Sequence, residues 1–212
     1  LYELGAEVIL IGIDPDGRNI NDNCGAVHTD RMCSEVILSG ADIGIALDGD
    51  ADRLIVCDEK GQVIDGDQIL ALVGREWKKA GILKGNGVVT TVMSNLGLER
   101  YLKANGMKHI RTQVGDRYVV EKMRSDGYNL GGEQSGHLIL GEHSTTGDGL
   151  VAALQVCAAV VAERKAVSEV MHLFEPVPQL LKNVRLSDRA LAKAALDSEP
   201  VKIAIDKTER AL

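Results

Sequence analysis

The chain has 212 residues, 45% hydrophobic and 26% charged, a globular composition that excludes a disordered, collagenous or coiled-coil protein. Twenty-four Lys and Arg against 31 Asp and Glu leave a net charge of −7, so a general binder of nucleic acid or anionic membrane, which needs a basic patch, is excluded too. No apolar run approaches the ~18 residues of a membrane-spanning helix; the longest, over 150–162, is broken by Gln155.

The first 60 residues read as strand, helix, strand and hairpin. Glu7–Ile13 is a β-branched run stopped by Asp14-Pro15-Asp16-Gly17, expected as a buried strand. Val27–Leu38 has helical spacing, Asp42–Leu47 is a second strand, and Leu54–Cys57 turns through Asp58-Glu59-Lys60-Gly61 into Gln62-Val63-Ile64. Asp67 is expected to cap a helix running to Ala80. Strands over Val88–Val92, Lys108–Val114, Tyr128–Leu130 and His137–Leu140 alternate with helices over 94–104 and 116–124. The longest helix spans Gly147–Arg164, with Thr145 and Thr146 as its expected caps, and Ser168 is expected to cap a short one. Pro176 and Pro178 then end a unit, before a strand candidate at Lys182–Leu186 and a charged helical stretch. This alternation predicts an α/β fold: mixed, mostly parallel sheets with crossover helices, in two α/β domains of which the first is incomplete. The expected boundaries are 1–64, 65–177 and 178–212.

Other features read as structural. Trp77 is expected in the core, and His28, His109, His143 and His172 as surface or packing residues. Cys24, Cys33, Cys57 and Cys157 are scattered with no CxxC spacing, which points to a reducing cytoplasm rather than to disulfides or zinc. The chain starts without Met or a signal-peptide pattern and is expected to begin inside something larger.

The most informative stretch is Asp48-Gly49-Asp50-Ala51-Asp52-Arg53, just past a strand. In extended chain, carboxylates at every second residue share one side, where they repel unless a cation sits between them. A few hard oxygen ligands suit Mg²⁺, and Arg53 adds a planar donor for a phosphate beside it. A calcium EF-hand matches Asp48, Asp50, Asp52 and Glu59 in spacing, but Arg53 stands where the loop needs Gly and the flanks read as strand. A merely solvated acidic turn is the plain alternative. The second stretch is Gly131-Gly132-Glu133-Gln134-Ser135-Gly136-His137: glycines that let the backbone turn sharply around Glu and Ser, which together match paired sugar hydroxyls. A strand-connecting turn with exposed polar residues is its plain alternative.

These two stretches, with Thr145-Thr146-Gly147-Asp148-Gly149, Asp65-Gly66-Asp67, Thr91–Glu99 and Val114–Val119, resemble the α-D-phosphohexomutase superfamily, and most closely its amino-sugar branch. The resemblance covers nearly the whole chain. It implies a four-domain enzyme in which a phosphoserine of the first domain, a Mg²⁺ of the second, a sugar-reading third domain and a phosphate-holding fourth interconvert glucosamine 6-phosphate and glucosamine 1-phosphate. A glucosamine or glucose 1,6-bisphosphate is the implied intermediate and activator, and UDP-N-acetylglucosamine synthesis the implied destination. Asp48, Asp50 and Asp52 match the metal ligands and Arg53 the arginine beside them. Glu133, Ser135 and His137 match the sugar loop, and Asp116 and Arg117 stand in the segment that other branches fill with a Gly-His pair. The implied partners are the sugar phosphate and the enzyme's remaining domains, with a homodimer left open. Neither a Ser-His-Asn phosphoserine setting nor an Arg-Thr-Ser-Gly-Thr phosphate loop occurs. The chain therefore matches the end of domain 2, all of domain 3 and the start of domain 4, and alone is not expected to turn over.

Overall fold

The computed structural model describes residues 1–181, 185 and 188–210. Two sheets carry the fold. In the first, β1 (Ile43–Leu47), β2 (Leu54–Asp58) and β3 (Val63–Ile64) pair antiparallel in that order, since short turns can join only antiparallel neighbours. Ile43 stands opposite Asp58 and Leu47 opposite Leu54, so Asp48–Arg53 is the tip of a hairpin. The second sheet has the order β5 (Lys108–Thr112), β4 (Gly87–Thr91), β6 (Leu130–Gly132), β7 (Leu138–Leu140). Here β4 runs parallel to both neighbours, and β7 turns back antiparallel on β6, with Leu130 opposite Leu140. The mixed α/β class is as expected, with parallel pairing confined to the strands joined by helices.

Helices cover these sheets. The helix α1 (Asp30–Ser39) buries Met32 and Val36 against Ala46 and Cys57 of the first sheet. Next come α2 (Gly66–Lys79), α3 (Leu96–Ala104), α4 (Asp116–Asp126), α5 (Gly149–Glu163) and the short α6 (Val167–Met171). The main core joins both sheets: Leu54, Val56 and Ile64 pack with Ile69, Leu70 and Leu72 of α2, Val88, Leu130 and Leu138, and Ala152, Ala153 and Val156 of α5. Trp77 is 3% exposed within it. With aromatics at 3% of the chain, these aliphatic contacts carry the burial, each fully buried Leu, Ile or Val contributing about 1.5–3 kcal/mol. Residues 1–177 form one compact unit. Pro178–Leu212 is a second, in which Ser198 separates α7 (Arg189–Asp197) from α8 (Glu199–Glu209).

Several expectations are corrected. Residues 7–13 form no strand: among the described residues they pair with no ladder neighbour, Gly12 bends the run at φ 69°, and Ile9, Leu10 and Ile13 are about half exposed or more. β-Branched propensity makes a strand only where a ladder partner exists. Asp65, not Asp67, caps α2 by accepting the Gln68 N–H at 3.2 Å. Asp148, not a threonine, caps α5 through the Val151 N–H at 3.0 Å. Ala166 precedes α6, and Ser168 instead gives its N–H (3.0 Å) and hydroxyl (2.5 Å) to Glu59. The strand β6 starts two residues later than expected and takes in Gly131 and Gly132. The strand candidate at 182–186 lies, apart from Arg185, outside the described residues.

Candidate active site

Asp48 is buried at the end of β1 and organises the acidic hairpin tip. Its Oδ1 accepts the Arg53 N–H at 3.1 Å and its Oδ2 pairs with Arg53 Nε at 3.0 Å. Its carbonyl accepts the Ala51 N–H at 3.1 Å, closing a turn in which Ala51 adopts φ 58°. That left-handed residue lets the three carboxylates converge. One oxygen from each of Asp48, Asp50 and Asp52 falls within 4.8 Å of the others. Strands flank the loop on both sides, so the helix-loop-helix of an EF-hand is ruled out.

The loop between β6 and β7 is the second hairpin tip, and the two tips lie edge to edge. Arg53 and His137 form an antiparallel bridge, and the Leu54 N–H donates to the Gly136 carbonyl at 2.9 Å. Gly136 has φ +94°, and any Cβ there would collide with the Leu54 carbonyl. His137 is 6% exposed and joins the tips through its side chain as well: Nδ1 lies 3.0 Å from Asp52 Oδ2, and Nε2 lies 3.9 Å from Asp116 Oδ2. Burial pushes the Asp52 carboxyl above its ordinary value; His137 opposes the shift, while Asp48 and Asp50 reinforce it.

A third element supplies one wall. The Glu133 carboxylate accepts the Gly115 N–H at 3.0 Å, which ties the β6–β7 loop to the start of α4. Asp52, Arg53, Val114, Gly115, Asp116, Glu133, Ser135 and His137 then line a cleft of about 370 Å³. Six of the nine candidate residues thus converge at the cleft, and Asp48 and Asp50 complete the acidic trio beside Asp52. Arg117 is the ninth candidate to place, and the fold does not bring it in: its side chain is 82% exposed and pairs with Glu121 at 2.8 Å along α4.

Sequence reasoning missed three supports. Gly149 packs against the back of the acidic loop, donating its N–H to the Ala51 carbonyl at 2.9 Å, and a Cβ there would sit 2.6 Å from the Arg53 carbonyl. The motif around Asp148 is therefore a buttress as well as a helix start. The Gln134 amide donates to Asp65 Oδ2 at 3.0 Å, joining the β6–β7 loop to the cap of α2. Gly115 anchors Glu133 through its backbone. The glycines themselves were the available signal, since a Gly beside a motif marks a close backbone approach.

The profile of phosphoglucomutase/phosphomannomutase alpha/beta/alpha domain III matches residues 65–177, more than half of the chain. The chain belongs to the phosphoglucomutase/phosphomannomutase family. Among similar family sequences is a phosphoglucosamine mutase of Rhodospirillum rubrum, 63% identical over 187 residues, covering 88% of this chain and 41% of that protein. Another, of Paramagnetospirillum magneticum, is 59% identical over 212 residues, covering all of this chain and 47% of that protein. The chain thus spans under half the length of these relatives. Solved structures agree on the fold. A phosphoglucomutase/phosphomannomutase family protein from Burkholderia thailandensis has a TM-score of 0.66 at 24% identity, over 82% of this chain and 37% of that one. An Aspergillus fumigatus N-acetylphosphoglucosamine mutase, solved with GlcNAc-6P and magnesium, has a TM-score of 0.62 at 22% identity, over 79% of this chain and 40% of that one.

The acidic trio fits a small hard cation. Its donors are all oxygens, and Asp52 Oδ1 is buried with no hydrogen-bond partner, an orphan acceptor that a cation would satisfy. No helix among the described residues is long and apolar enough to cross a membrane.

Proposed function

We propose that this chain is the middle of a phosphoglucosamine mutase, interconverting glucosamine 6-phosphate and glucosamine 1-phosphate on the way to UDP-N-acetylglucosamine and cell-wall precursors in the cytoplasm. Residues 1–64 are then the end of a metal-binding domain, 65–177 the sugar-binding domain, and 178–212 the linker into a phosphate-binding one. The observation that carries this reading is the apposition of the acidic tip and the sugar loop across the Arg53–His137 bridge. It sets an oxyanion-handling group beside a hydroxyl-reading group, as a sugar phosphate requires.

Asp48, Asp50 and Asp52 would hold Mg²⁺, which when bound neutralises charge on a transferring phosphoryl group. Arg53, held by Asp48, keeps its Nη atoms for the phosphate oxygens. Glu133, fixed by the Gly115 N–H, and the exposed Ser135 take sugar hydroxyls, and Glu133 also suits the ammonium of an amino sugar. His137 aligns Asp52 through the 3.0 Å contact of its Nδ1, while its Nε2, buried without a hydrogen-bond partner, faces Asp116 at 3.9 Å across the cleft wall, where it is placed to contact a substrate group. Arg117, which points away, serves α4 unless a further domain draws it in. The phosphoryl donor, a phosphoserine, belongs to another part of the enzyme, and a hexose 1,6-bisphosphate is the intermediate and activator. The homodimer remains the partner state to examine in that full-length enzyme.

A chimera tests this. This chain replaces the matching segment of the Rhodospirillum rubrum relative, and rates are compared on glucosamine 6-phosphate and mannose 6-phosphate. Preference for the amino sugar is expected; preference for mannose would reassign the chain to the sibling phosphomannomutase activity. In the same chimera, Asp50→Asn is expected to lower turnover by at least about 100-fold without unfolding.

A further inference from the structure

A second pocket, of about 380 Å³, lies away from the cleft, where α3 packs on the edge strand β5. Its lining follows from two periodicities. Glu99 and Lys103 are four apart on α3 and share a helix face; His109 and Arg111 are two apart on β5 and share a sheet face. Met107, from the connection between them, adds an apolar wall.

The polar groups here are incompletely matched. Arg111 spends Nη1 on the carbonyls of Val92 (3.2 Å) and Ser94 (3.0 Å) and Nη2 on Glu99 (3.1 Å). Its Nε–H is buried without an acceptor. The His109 side chain is 5% exposed, with Nε2 2.7 Å from the Thr90 hydroxyl, while Nδ1 is buried without a hydrogen bond. That hydroxyl is 3.3 Å from its other acceptor, the Thr91 carbonyl, so we assign its hydrogen to Nε2, which leaves Nδ1 as an N–H donor. Glu99 Oε2 stands 3.8 Å from Nδ1, too far to accept, and the Glu99 side chain is 46% exposed. Burial holds His109 down at about 4, hence neutral near pH 7. Two cations, Lys103 and Arg111, then face one anion, Glu99, leaving one positive charge in surplus. Unmatched buried donors are costly unless something accepts from them.

We propose that this pocket binds a small aliphatic monocarboxylate, one oxygen accepting from Arg111 Nε–H and the other from His109 Nδ1–H, with Lys103 balancing its charge and its alkyl part on Met107. The Glu99 carboxylate covers the site and swings out when the ligand enters, its exposure leaving it free to do so.

The test is a titration of the full chain, isotope-labelled for NMR, with acetate, butyrate or inorganic phosphate at constant ionic strength in chloride, following the His109 imidazole and Arg111 Nε signals. Saturable shifts at both groups are expected, with butyrate tighter than acetate and both tighter than phosphate. Glu99→Ala is expected to tighten butyrate at least threefold, and Lys103→Ala, at an exposed position, to weaken it. Shifts that never saturate, tighter phosphate than butyrate, or a Glu99→Ala affinity equal to wild type would each overturn the assignment, and the orphan donors would then be served by water.

Discussion

Asp67 and His109 show how burial sets the chemistry of single side chains. Asp67 is fully buried at the start of α2, accepts the Asn95 N–H at 2.7 Å, and is pushed up to about 6 by desolvation. His109 is pushed down to about 4, also by desolvation. The signs are opposite in overlapping windows. The folded state holds the Asp67 proton more tightly than the unfolded state, with its ordinary value of 3.8; stability from this group is present below about pH 4 and is lost as pH rises to about 6. The folded state holds the His109 proton less tightly than the ordinary 6.5; stability from that group is present above about 6.5 and is lost as pH falls to about 4. Each swing is on the order of 3 kcal/mol, so the two nearly cancel between pH 4 and 6. Relative to wild type, Asp67→Asn is expected to gain stability from pH 4.5 to pH 6, and His109→Gln to lose it, as measured by urea unfolding at both values. Identical slopes in both variants would contradict the burial argument. None of this was legible in the sequence, where Asp67 read as a cap and His109 as bland, because burial depends on what α3 and β5 place over them.

Among the elements, the hairpins and crossover helices were legible because their signals are local: alternating apolar runs, Asn95 before α3, and Gly106 after it. The unpaired run at 7–13 was misread because pairing depends on a neighbouring strand. The cap of α2 was misplaced by two residues because Asp65 and Asp67 both satisfy the rule; the fold uses the first as the cap and buries the second. The edge-to-edge meeting of the two hairpin tips was the least legible feature, since Arg53 and His137 are 84 positions apart in the chain. Gly136 makes that meeting possible, and Gly136→Ala is expected to cost about 1–3 kcal/mol through its positive φ and the Leu54 carbonyl. The loss is expected as a lower Tm together with weaker metal binding, because the acidic tip leans on the same contact. A lower Tm with metal binding intact would show that the tips are energetically independent.

Across the molecule, the candidate site sits where two sheets of different construction meet. The antiparallel sheet presents the carboxylates at a hairpin tip, the mixed sheet presents Glu133 and Ser135 at another, and α5 backs the first tip through Gly149. The candidate residues could be named from the sequence because each motif is contiguous; the cleft that six of them line could not, because it exists only once residues 52–53, 114–116 and 133–137 are brought together. The proposed chemistry requires a divalent cation held by Asp48, Asp50 and Asp52 within reach of the β6–β7 loop. Titration of the chain with Mn²⁺ in place of Mg²⁺, read as paramagnetic broadening of backbone NMR signals, tests this directly. Broadening is predicted to centre on residues 48–53 and spread to 133–137, to be reversed by excess Mg²⁺ and to vanish in Asp50→Asn. Broadening centred on other acidic positions, or unchanged in Asp50→Asn, would contradict it.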